Sequence, residues 1–292
     1  MAVKIGLALG GGGARGLAHI GVLRVLEQEK IPLYQITGCS IGAIIGGLYA
    51  YFSNIEKTER FIRDLLASEA VKNLNLETFS SAEHRKPTVH LNAYLNTIKR
   101  YFSIFKTLGK TSIYEEELVK DIFSLFPHER IENLPIHFGC IATDLISGRE
   151  IVLNEGDLRR AIMASSSIPG VFPPVKTDDQ LLIDGAATDS IPVQIVRGQG
   201  AQYVFAVDVT KCLEDVDALD NGLDIIYRAE DIVGYHLTQE RLAGADLIIR
   251  PKVRHFSWAA VDRIDEIIKA GEAAAKDALL KIKRIINGKK QI

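Results

Sequence analysis

Three short stretches of this 292-residue chain combine residue types and spacing that support covalent chemistry. The first, Gly38-Cys39-Ser40-Ile41-Gly42, has the form GxSxG and stands between a strand-like run, Tyr34–Cys39, and a helical one, Ile41–Phe52. That is the context of a nucleophile elbow, where a tight turn exposes a serine hydroxyl and glycines at 38 and 42 let strand and helix approach each other. The helix beginning at Ile41 also presents backbone N–H groups toward a developing anion. The letters alone fit equally a glycine-rich turn in which Ser40 merely caps the next helix.

The second stretch, GGGGARG at 10–16, also lies between an apolar run, Val3–Leu9, and a helical pattern. Gly11, Gly13 and Gly16 satisfy GxGxxG, but a dinucleotide site needs an acidic residue at the end of the next strand. Here that strand ends in Gly38, Cys39 and Ser40, while Glu27 and Glu29 sit at the end of the first helix. A phosphate-binding Walker loop fails too, because Leu17 stands where a lysine is required. Adjacent glycines suit an oxyanion hole better, since several N–H groups can then converge on one oxygen without side-chain obstruction.

The third stretch is Asp184-Gly185-Ala186, after the apolar Leu181–Ile183. A carboxylate at that strand end can reach a neighbouring strand end, although an aspartate opening a turn is also common. The downstream histidines, His236 in a helical run and His255 in a basic stretch, are the rival bases of a Ser–acid–His triad. Neither sits at a strand end. His19, close to the glycine loop, is expected to shape that loop.

These loops need a scaffold that sets strand ends side by side. Val3–Leu9, Tyr34–Cys39, Ile136–Thr143, Glu150–Leu153, Leu181–Asp184, Gln202–Val209 and Ala245–Arg250 read as strands. Helical patterns cover Asp157–Ser165, Asp224–Leu242 and Trp258–Ile286. Alternating strand and helix predict a three-layer α/β/α fold around a mostly parallel sheet, with the site at its C-terminal edge. Residues 1–292 are read as one hydrolase domain, in which about 54–126 form a helical insertion without a convincing strand. Within it, His84–Tyr114 has six lysines and arginines and no acid, with Leu91, Tyr94, Leu95, Ile98, Phe102 and Phe105 spaced as on one helix face. Such a helix either packs on the sheet or contacts a membrane surface through 91–105.

A net charge of −2 and a pI near 6.4 give no reason to expect nucleic acid as a partner. Cys39, Cys140 and Cys212 are too scattered for a disulfide framework or zinc site, and no calcium loop or His-rich cluster appears. No metal or cofactor is expected. The apolar runs are too short for a signal segment or a membrane span, which predicts a cytoplasmic protein with peripheral membrane contact at most.

Together, GGGGARG at 10–16, GCSIG at 38–42 and DGA at 184–186 resemble the patatin-like phospholipases, including bacterial relatives of the neuropathy target esterase catalytic domain. ATDLISGREIVL at 142–153 and ASSSIPGVFPPV at 164–175 extend the similarity. The resemblance implies a Ser–Asp dyad without histidine: Ser40 as nucleophile, Asp184 as base, and Gly11, Gly12 and Gly13 as oxyanion donors beside the Ile41 helix start. Arg15, Gly16, Gly38, Gly42 and Gly185 hold motif positions without an assigned chemical step. The implied substrates are phospholipids, lysophospholipids or simple fatty-acyl esters. An acyltransferase on the same dyad and an idle nucleotide-binding or regulatory module are the alternatives.

Overall fold

The computed structural model describes residues 3–75, 110–216 and 218–288. Its sheet comprises β1 (Ile5–Leu9), β2 (Leu33–Gly38), β3 (His137–Asp144), β4 (Glu150–Leu153), β5 (Val175–Lys176), β6 (Leu181–Asp184), β7 (Tyr203–Val207) and β8 (Leu247–Ile249). The helices are α1 (Ala18–Gln28), α2 (Ile41–Phe52), α3 (Ile55–Ala67), α4 (Glu69–Lys72), α5 (Glu116–Ser124), α6 (Leu158–Ser165), α7 (Val193–Gly198), α8 (Gly222–Leu242) and α9 (Ile264–Asn287). Strand order is β5-β6-β3-β2-β1-β7-β8, with β4 added on β3. The β3-β2-β1-β7-β8 portion is parallel, and β4, β5 and β6 join antiparallel.

Period-two alternation sorts the strand residues onto two buried faces. Ile5, Leu7 and Leu9 of β1, with Phe205 and Val207 of β7, join the large cluster packed by α1, α2, α3, α6 and α9. The smaller Ala8, Val204 and Ala206 face α7 and the last residue of α8, Leu242. The result is the three-layer α/β/α arrangement around a central parallel sheet. The two-residue β5 and the six-residue α7 are too short for a periodic signal. Residues 258–263, expected as the first turns of the last helix, instead make turns and a 3-10 segment, and α9 starts at Ile264.

The register of β3 brings the site together. Cys140 is paired with both Gly38 of β2 and Leu153 of β4, while Ala142 and Thr143 are paired with both β4 and β6. A strand has two edges, so β4 takes one, and β2 and β6 share the other in succession. Gly38 opposite Cys140 and Asp184 opposite Ala142 are two positions apart along β3, about 7 Å. Because β6 runs antiparallel to β2, their C-terminal ends meet head-on.

The described flanks of the insertion are helical. Asn54 caps α3 by accepting the Lys57 N–H at 2.8 Å, and the Ser68 hydroxyl caps α4. The expected basic helix at 91–105 lies outside the described residues. Among the described residues, no helix is long and apolar enough to cross a membrane.

Candidate active site

Ser40 is the single residue between β2 and α2, and the turn it makes is strained. Its φ of 54° and ψ of −122° lie in a region that L residues rarely occupy, at a cost of about 1–3 kcal/mol. The elbow is possible because a Cβ at position 38 would lie 2.3 Å from the Gly42 carbonyl, and one at 42 would lie 2.2 Å from the Leu9 carbonyl oxygen. Ser40 does not cap α2 with its side chain. Its own N–H donates to the buried Ser165 Oγ at the end of α6, 3.1 Å away, which fixes the elbow from below.

Asp184 ends β6 and is 4% exposed. Its Oδ1 accepts the Ala186 N–H at 2.9 Å and lies 3.6 Å from the Cys39 thiol, and the Ser40 side chain is also hydrogen-bonded to the carboxyl. Burial raises Asp184 from 3.8 to about 6, with those three hydrogen bonds opposing the shift. Burial likewise pushes the Cys39 thiol well above its usual range, so Cys39 stays protonated and can only donate.

The glycine loop is oriented peptide by peptide. A trans peptide is planar, so where its carbonyl points one way its N–H points the other. The His19 Nε2–H donates to the Gly10 carbonyl at 2.8 Å, and the Gly11 N–H, facing away, donates to the Ser190 carbonyl at 2.9 Å. The Arg15 Nε donates to the Gly12 carbonyl at 3.2 Å, which turns the Gly13 N–H in the opposite direction. Gly13 itself has φ +59°, and a Cβ there would meet the Trp258 carbonyl oxygen at 2.4 Å. Ala14 donates to that same carbonyl at 2.6 Å. Among the described residues, no acceptor meets the N–H groups of Gly12, Gly13 or Ile41. Gly11 is thereby removed from the expected set of oxyanion donors, because its N–H already holds the loop to Ser190.

The histidines do not converge on this point. His19 is fully buried, drops to about 4 through desolvation, and is therefore a neutral strut of the loop. His236 is exposed on α8 beside Tyr235, and His255 is exposed against Phe256. Neither is among the partners of Asp184 or Ser40.

An apolar cavity of about 170 Å³ opens on Ser40, Gly13 and Ile41. Its walls include Ile62 and Leu66 of α3, Val71 of α4, Ile122 of α5, Phe172 and Trp258. A larger groove, about 460 Å³, lies across α5 and touches neither Ser40 nor Asp184.

A serine on a strained elbow, a buried carboxyl bonded to it and unengaged N–H groups beside an apolar cavity are joined by a decisive sequence match. The patatin-like phospholipase pattern covers residues 7–197. The chain belongs to the patatin-like phospholipase family. It is 33% identical over 211 residues to lysophospholipase NTE1 of Mycosarcoma maydis, covering 71% of this chain and 10% of that protein. It is 34% identical over 220 residues to the patatin-like phospholipase domain-containing protein ZK370.4 of Caenorhabditis elegans, covering 75% of this chain and 14% of that one. The chain thus spans about a tenth of the length of the curated relatives it matches. Among solved structures, VipD from Legionella pneumophila shares the fold, with a TM-score of 0.50 at 12% identity over 96% of this chain and 67% of that one.

In this patatin-like chain, three site-building residues have no distinct local signal. Ser165 belongs to a run of serines at 165–167 whose roles separate only in three dimensions, where Ser165 alone reaches the elbow. Ser190 and Trp258 act through backbone carbonyls, which side-chain identity does not announce.

Proposed function

We propose that this chain is a lipid acyl hydrolase in which Ser40 attacks the carbonyl carbon of a carboxylic ester while Asp184 takes its proton. The tetrahedral oxyanion is held by the N–H groups of Gly12, Gly13 and Ile41. Asp184 then returns the proton to the leaving alcohol, which gives an acyl–Ser40 ester. Water, deprotonated by Asp184, opens that ester and releases the fatty acid. The observation that carries this reading is the buried Asp184 carboxyl hydrogen-bonded to Ser40. A carboxyl near 3.9 is a poor base for a serine, and burial supplies the basicity that an imidazole otherwise would.

The apolar walls beside Ser40 support a fatty-acyl chain, and the lysophospholipase relatives support a phospholipid or lysophospholipid ester as its source. The insertion's described helices wall that cavity, so residues 1–292 act as one domain in this reading. Wild type should hydrolyse p-nitrophenyl acyl esters and release fatty acid from lysophosphatidylcholine, with amide analogues left nearly untouched. Ser40→Ala and Asp184→Asn should both be inactive while His236→Ala and His255→Ala keep full turnover. A dead histidine variant that remains folded would replace the dyad with a triad.

A further inference from the structure

The 21-residue helix α8 is amphipathic in the reverse sense. The side turned to the protein is small and polar: Gly234 and Thr238 line a cleft with Thr210 and Cys212, Asp231 pairs with Lys211, and Arg241 lies 3.8 Å from the buried Asp189. The large apolar residues are on the other side. Ile225, Ile226, Ile232 and Val233 follow each other at helical spacing with Ala229 between them, and Ile226 and Val233 are 61% and 67% exposed. Normal helices bury this stripe, and a contiguous apolar face on the surface marks an interaction site.

Charge narrows the occupant. Glu214, Asp215, Asp220 and Glu230 are exposed around the stripe, and Arg228 is the one cation of the sequence from 214 to 231. A second copy of the chain would bring the same acidic rim against this one, and an anionic bilayer would be repelled by it. We propose that the outer face of α8 docks a cationic amphipathic helix of a partner protein, with Ile225, Ile226, Ile232 and Val233 meeting its apolar side and the carboxylates its lysines or arginines. The inference is independent of the hydrolytic reading, because none of these residues touches Ser40 or Asp184.

The test is fluorescence anisotropy of the full chain with a labelled 18-residue leucine–lysine peptide whose leucines repeat at i, i+3, i+4 and i+7. A permuted peptide of equal composition but no apolar face is the control. The amphipathic peptide should bind at least about tenfold more tightly than the permuted one, a difference of about 1.4 kcal/mol. Ile226→Asp with Val233→Asp should erase the difference even though it adds negative charge, and Asp215→Asn with Asp220→Asn and Glu230→Gln should flatten the salt dependence. Equal binding of both peptides would reduce the effect to bulk charge and overturn the proposal. So would absent peptide binding accompanied by phosphatidylcholine vesicle binding, or by a dimer, that Val233→Asp abolishes.

Discussion

Asp184→Asn should make the protein more stable at pH 8 while removing its turnover. The carboxyl is buried and moves from 3.8 to about 6, so its charged form is disfavoured in the folded chain by about 3 kcal/mol. The sign follows from proton binding: between those two values the folded chain holds the proton that the unfolded chain has lost. The favourable contribution of protonated Asp184 is therefore complete below pH 3.8, falls as pH rises through the window, and is gone above about pH 6. Asparagine keeps an oxygen to accept the Ala186 N–H and never ionises. Urea unfolding of wild type and Asp184→Asn should accordingly show nearly equal stability near pH 4 and a gap approaching about 3 kcal/mol at pH 8, or roughly 6–12 °C in melting temperature. The comparison isolates Asp184 from Asp189, which burial raises to about 7 in both proteins. An asparagine variant that is no more stable than wild type at pH 8 would refute the claim that burial sets the basicity of this carboxyl.

The same raised value places the acid limb of kcat/KM for a p-nitrophenyl ester near pH 6; a limb near pH 4 would mean that Asp184 is solvated during turnover. Arg15→Ala frees the Gly12 carbonyl and lets the Gly12–Gly13 peptide rotate, so kcat should fall about 10²-fold with KM nearly unchanged, as for loss of one oxyanion donor. Leu66→Trp fills part of the cavity and should move the acyl-length optimum to shorter chains, by about fourfold in kcat/KM for each methylene excluded.

Local patterns reveal elements but not how those elements meet. β4 and β6 match their apolar runs residue for residue, and α2 runs from Ile41 to Phe52 as its periodicity predicts. GxSxG is legible because an elbow is a local device: the turn, its glycines and its serine are contiguous. What the sequence hides is that β6 enters antiparallel and head-on to β2, a consequence of how β3 divides its edge between them. Without that register Asp184 is one aspartate opening one turn. The resemblance supplies the pairing of Ser40 with Asp184; the sheet supplies its physical cause.

The glycine loop shows a finer limit of the same kind. Four successive glycines at 10–13 offer four similar N–H groups, and sequence treats 11, 12 and 13 alike. Distant acceptors distinguish them: Gly10 donates to Val207 at 3.1 Å and Gly11 to Ser190, which ties the loop to β7 and to the turn after Asp184. Both of those acceptors belong to backbone some 180 to 200 residues away, and any residue except for its conformation could supply them. The two glycines left without an acceptor are the ones whose peptide is turned by Arg15. Oxyanion binding in this chain is thus a property of which backbone donors the fold leaves unspent beside Ser40, and it follows that substitutions at Ser190 that preserve the backbone should be tolerated where those at Gly13 are not.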